Sequence, residues 1–98
     1  IPFGNLLENG MLEPGQTLYF GSEGEIKVKI TVDGKLILGD LRGSIHQIAK
    51  SIQKTPGNGW LLWYSDDPET GDRQPIDVLR QRMRETILNN RLNQNKES

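Results

Sequence analysis

The 98-residue chain predicts a single α+β domain, and three observations predict it. Residues 25–38 alternate apolar and polar with a period of two around Asp33-Gly34, which is a hairpin pattern. Residues 44–54 place Ile45, Ile48, Ala49 and Ile52 at i, i+3, i+4 and i+7, one buried stripe of a helix. Residues 75–89 repeat that pattern with Ile76, Leu79, Met83 and Ile87. A chain this short buries about 60–65% of its unfolded surface, enough for one small core.

In order, Pro2–Gly10 predicts a short helix over 3–9. Pro2 suits its first turn, Gly10 a left-handed cap, and Phe3, Leu6 and Leu7 a core face. Pro14-Gly15 marks a turn, and Thr17–Phe20 a short strand. In the hairpin, Ile26, Val28, Ile30 and Val32 face inward, and Asp33-Gly34 predicts a type I′ turn. Lys27 and Lys29 fall on the outer face, where they serve solubility or contact phosphate. Ser44 and Gln47 have the spacing of a capping box. Thr55–Gly59 cannot continue a helix, and Trp60–Tyr64 reads as a strand. The predicted small antiparallel sheet therefore combines the hairpin 25–38 with strand 60–64, packed with helices near 3–9, 44–54 and 75–89. Ser65–Gln74 reads as an acidic exposed loop, and Pro75 as the opening of the last helix. Residues 1–89 form one domain, and the polar residues 90–98 are expected to fray.

The charge is unevenly spread. Leu41–Tyr64 contains Arg42, Lys50 and Lys54 and no Asp or Glu, although the whole chain has a net charge of −1. That stretch also holds both tryptophans and the only histidine. The overall balance is not that of a strongly basic, stand-alone nucleic-acid binder, so such a role rests on this local patch. There is no cysteine and hence no disulfide or thiolate chemistry, which fits a reducing compartment. No apolar run approaches the roughly 18 residues of a membrane helix. The chain opens at Ile1 rather than methionine, as an excised piece of a longer protein would.

Catalytic chemistry is poorly represented. Ser44 and His46 are two apart and do not face each other on a helix, so they are not a nucleophile pair. One histidine without cysteine does not make a typical zinc site. The spacing of Asp66, Asp67, Glu69 and Asp72 is not that of an EF-hand. Phe20-Gly21-Ser22-Glu23-Gly24 is glycine-rich but sits between strands, not before a helix. Binding chemistry is better represented. Arg42 and Gly43 precede a helix N-terminus, whose free N–H groups and partial positive charge favour anions. Asn58 and Trp60 lie in the turn after that helix. Asparagine pairs bidentately with adenine, and tryptophan stacks on unpaired bases. Trp63 is expected in the core, whereas Trp60 is open to core packing or to a surface contact. The cations Arg80, Arg82 and Arg84 read as a solvated helix face.

Pro2-Phe3-Gly4-x-Leu6-Leu7-Glu8, Arg42-Gly43-Ser44-Ile45-His46-Gln47, Asn58-Gly59-Trp60 and Gln74-Pro75-Ile76-Asp77-x-Leu79-Arg80 occur in that order. With them, residues 1 to about 88 resemble the C-terminal domain of the cell-cycle-regulated DNA adenine-N6 methyltransferases that act at GANTC sites. Related small domains are called restriction enzyme adenine methylase associated domains. The resemblance implies a DNA-recognition domain, with double-stranded DNA and an upstream catalytic domain as partners and a homodimer as a further possibility. It implies that S-adenosylmethionine and an Asp-Pro-Pro-Tyr motif belong to that upstream domain. Asp67-Pro68-Glu69 is not a match, so this chain alone is expected to need no cofactor and to be inactive. It places Ser44, Asn58 and Trp60 at DNA, and Arg42, His46, Gln47 and Lys50 complete the candidate contact set. The setting it implies is the bacterial cytoplasm, at the nucleoid. The alternative is a protein-interaction or dimerisation module of the same enzyme, using the aromatic strand or the last helix.

Overall fold

The computed structural model describes residues 2–96, with side-chain exposure described as far as Leu92. The first helix, α1 (Gly4–Glu8), is followed by strands β1 (Thr17–Phe20), β2 (Ile26–Ile30), β3 (Leu36–Leu38) and β4 (Leu41–Gly43). Helices α2 (Ile45–Gln53) and α3 (Gly59–Leu62), strands β5 (Trp63–Asp66) and β6 (Arg73–Pro75), and helix α4 (Asp77–Lys96) complete the chain. The strands form one antiparallel sheet in the order β4-β3-β2-β1-β5-β6. The domain is α+β as expected, with twice as many strands as the three predicted for its sheet.

Period-two alternation divides the sheet into two faces. Leu18, Val28, Ile30, Leu36 and Trp63 point inward and are buried. Against them pack Ile45, Ile48 and Ala49 from α2, Leu6 from α1, and Ile76, Leu79 and Met83 near the start of α4. The helices thus occupy one side of the sheet.

Several expectations are corrected. The hairpin turn at Asp33-Gly34 is not type I′, because only Gly34 has a positive φ (78°). Thr31 and Lys35 close a three-residue loop by Thr31 N–H to Lys35 O at 2.8 Å, and Gly34 N–H returns to Thr31 O at 3.2 Å. This is the longer hairpin connection with glycine in the left-handed position. Val32 therefore lies in the loop, 87% exposed, rather than on the inner face. Trp60–Tyr64 is not one strand: Gly59–Leu62 is a helical turn, and the strand begins at Trp63. The acidic loop shortens to 67–72, because β5 and β6 pair through Ser65↔Gln74 and Asp66↔Arg73. Its tip is closed by the Asp67 carboxylate, which accepts the Glu69 and Thr70 N–H groups at 2.8 and 3.3 Å. Those two bonds, Glu69 first, hold the Asp67 carboxyl below its ordinary range, and Arg82 at 4.0 Å adds to the effect.

The edge strand β4 was not foreseen, since three residues ending in glycine give no pattern. Pro75 lies in β6 and α4 starts at Asp77, so the proline ends a strand rather than opening the helix. Residues 90–96, expected to fray, are helical. The expectation for residues 97–98 lies outside the described residues. Ile87, expected in the buried stripe, is 37% exposed, because α4 runs past the core after Met83.

Candidate nucleic-acid interface

The site forms where the start of α2 meets the turn before α3. Ser44 caps α2: its Oγ accepts the Gln47 N–H at 3.1 Å, and the Gln47 Oε1 accepts the Ser44 N–H at 2.8 Å. The predicted capping box is complete and fixes the first turn of α2 directly after β4. Lys54 ends the helix in the left-handed conformation at φ 66°. The chain then doubles back, and Asn58 caps α3 by accepting the Trp60 N–H on Oδ1 at 3.0 Å.

The two turns are joined by one bond. His46 Nδ1 accepts the Gly59 N–H at 2.9 Å. That bond requires a neutral imidazole with its proton on Nε2. Gly59 fits because it has no side chain: a Cβ there would lie 2.8 Å from the Ile45 carbonyl carbon and oxygen. Trp63 reaches the same carbonyl from the other side, donating from Nε1 at 2.8 Å. Gly59→Ala is expected to push α3 off α2 and cost about 1–3 kcal/mol, read by urea denaturation; an unchanged midpoint counts against this contact.

The consequence is a surface with several free hydrogen-bond donors. The acceptors Ser44 Oγ, Gln47 Oε1, His46 Nδ1 and Asn58 Oδ1 each take a backbone N–H. The donors left over are the Ser44 hydroxyl, His46 Nε2–H and the side-chain amides of Gln47 and Asn58, while each of the three oxygens keeps a second lone pair. None of these donors has a hydrogen-bond partner among the described residues. His46, Gln47, Lys50 and Asn58 are exposed, and Ser44 is half-buried. Lys50 stands four residues after His46, on the same helix face.

Two predicted members stand apart. Arg42, on β4, turns across to the hairpin loop and pairs with Asp33. The Thr31 hydroxyl, with a contribution from Arg42, holds the Asp33 carboxyl below its ordinary range. Trp60, whose exposure was open, is 6% exposed. Its ring packs 6.1 Å from the Phe3 ring, and the Arg80 guanidinium lies 4.6 Å over it. Arg80 in turn pairs with the buried Asp77, a close charge contact without hydrogen-bond geometry, while Gln81 donates to the other Asp77 oxygen at 2.7 Å. Trp60 therefore belongs to the core.

Trp60, Ser44 and His46 border a cleft of about 580 Å³, which Phe3, Glu8 and Asp33 also line. Lys35 also lines it and Asp33 is paired with Arg42, so the cleft carries charge of both signs beside Ser44 and His46, while Gln47, Lys50 and Asn58 lie outside its lining. Sequence reasoning missed Phe3 and Arg80 as the partners of Trp60. It also missed His46 as the link to Gly59; the separation of thirteen residues carries no local signal.

The family model for restriction enzyme adenine methylase associated domains matches residues 1–88. That span takes in the capped start of α2, the Asn58–Trp60 turn, the complete sheet and the part of α4 that reaches the core. The chain belongs to the restriction enzyme adenine methylase associated (RAMA) domain family.

Proposed function

We propose that this chain is the DNA-recognition domain of a site-specific DNA adenine-N6 methyltransferase, acting at GANTC sites. The observation that carries the reading is the donor surface of Ser44, His46, Gln47 and Asn58, with the Lys50 ammonium beside it. Nucleic acid offers the complement: phosphate oxygens along the backbone, and N7 and O6 or O4 acceptors in the major groove. The helix start adds its partial positive charge.

In this reading Lys50 and the Ser44 end of α2 hold the backbone, while Asn58, His46 and Gln47 reach base edges. The Asn58 carbonyl takes the Trp60 N–H, which fixes the side chain, and its amide NH₂ has no partner among the described residues. Trp60 supports that turn from below rather than stacking on a base. Arg42 joins the contact only by leaving Asp33. Methyl transfer from S-adenosylmethionine belongs to an upstream domain. The glycine-rich segment here links the antiparallel strands β1 and β2 and opens no helix, so it does not fit as that cofactor's cradle. The working setting is the bacterial cytoplasm, on duplex DNA at the nucleoid.

Fluorescence anisotropy with GANTC and scrambled duplexes tests the reading. Tighter binding to GANTC is expected, with Asn58→Ala losing about 1–3 kcal/mol of that preference. Equal affinity for both duplexes, or none, in this chain and in the enzyme that contains it, overturns it.

A second reading, an interaction or dimerisation module, is favoured by α4, which leaves Leu88 and Leu92 about half exposed beyond the core. The aromatic strand is a poor contact for that role, because Trp63 is fully buried. Light scattering of the chain decides: a stable dimer without DNA affinity selects this reading.

A further inference from the structure

The helices cover one face of the sheet and leave the other bare. Register places Tyr19 opposite Lys27 on one side and Tyr64 on the other, and Thr17 opposite Lys29. Next to them, Asp66 faces Arg73. These side chains share the outer face, and none is buried. Its chemistry is cationic and aromatic. The Arg73 guanidinium lies 3.7 Å over the Tyr19 ring, and the Lys27 ammonium is 5.9 Å from the same ring. Lys29 donates to the Thr17 hydroxyl at 2.7 Å. Asp66 is engaged by Arg73 at 3.1 Å. Lys27 and Lys29 have no carboxylate partner among the described residues. Residues at alternate positions of a strand have their backbones about 6.6–6.8 Å apart, so both lysines project from the same face. A third cation is held beside them by one tyrosine. Like charges so placed repel, and of the three only Arg73 has a carboxylate partner among the described residues.

We propose that this bare face is a second nucleic-acid contact surface, taking a phosphodiester backbone along Lys27 and Lys29 with Tyr19 and Arg73 beside it. The inference rests on the DNA-binding reading above and extends it to the side of the sheet opposite the helices. The contact is to phosphate, so it adds affinity without reading sequence. An acidic protein surface is the poorer fit, because the lysines are strongly hydrated and Ile37, opposite Lys29, is the one large aliphatic side chain exposed beside them.

The test is binding of Lys27→Ala/Lys29→Ala to labelled duplex and single-stranded oligonucleotides across a salt series. Weaker binding to every sequence is expected. The slope of log K against log salt becomes shallower by about 1.8 on duplex or about 1.4 on a single strand. On duplex, the unsubstituted chain then loses roughly tenfold more affinity than the variant between 50 and 200 mM salt. The strand type with the larger slope change identifies which backbone lies on the sheet. Lys27→Arg/Lys29→Arg restores the slope, and thermal melting confirms that all variants fold. An unchanged slope in Lys27→Ala/Lys29→Ala, while Asn58→Ala still loses sequence preference, overturns the sheet contact and leaves the recognition reading intact. Equal weakening by the charge-matched Arg84→Ala/Arg91→Ala on α4 also overturns it, since only long-range charge would then be at work. No binding by the unsubstituted chain or by the enzyme that contains it overturns both readings.

Discussion

Trp60→Ala is expected to lower the stability of the domain by about 3–5 kcal/mol, measured by urea denaturation. The indole is 6% exposed and fills the space between the Phe3 ring and the Arg80 guanidinium. Removing it opens a cavity at the point where α1, α3 and α4 converge. It also takes the aromatic face from Arg80, whose Nε already lacks a hydrogen-bond partner. Domains of this size have about 5–15 kcal/mol of stability in total, so the loss is about a fifth of it at the least and all of it at the most. Trp60→Phe keeps most of the packing and is expected to cost much less. DNA affinity lost in the alanine variant would therefore report unfolding, not a missing stacking contact. Asn58→Ala is the variant that separates the two, because loss of a helix cap costs only about 1 kcal/mol. If Trp60→Ala instead keeps its denaturation midpoint, the ring is not packed as described.

The parts of the fold that could be read from sequence are those with a local signal. The stripe in α2 spans two turns of one helix and the spacing of Ser44 and Gln47 a single turn, and both are present as expected. The alternation of β2 likewise put Val28 and Ile30 on the core side. The errors share a different cause. Trp60–Tyr64 is apolar throughout and too short for a period to choose between helix and strand. Asn58 settles it, since its cap on the Trp60 N–H starts a helical turn that strand β5 then ends. Ser65–Gln74 reads as a loop because its charges are local, whereas the pairing of Ser65 and Asp66 with β6 is closed by the Asp67 turn. The α2 half of the candidate site was legible for the same reason as α2. Its junction with Asn58 was not, because the His46–Gly59 bond depends on the chain doubling back. The turn leaves Trp60 open to core packing or surface contact in the sequence, and the packing of Phe3 and Arg80 from opposite ends of the chain buries it.

Trp63→Ala is expected to have the other large effect, again about 3–5 kcal/mol and sufficient to leave a marginal domain largely unfolded. Trp63 is fully buried on the inner face, where it pairs with Phe20 across the strands at a centroid distance of 5.3 Å and near edge-on. Its Nε1–H meets the Ile45 carbonyl, the same group that leaves Gly59 no room for a side chain. One carbonyl in the first turn of α2 thus sets the distance to both α3 and β5. Trp63→Phe separates bulk from bonding. It retains a ring against Phe20 but removes the indole donor, and about 1 kcal/mol is expected for the hydrogen bond together with a smaller packing loss. The difference matters for the recognition surface. In Trp63→Phe the sheet persists while the hold on Ile45 slackens, so a change in DNA preference in this stable variant would come through the position of α2 against the Asn58 turn. In Trp63→Ala binding falls with the fold itself, and denaturation midpoints measured beside the binding curves tell the two apart.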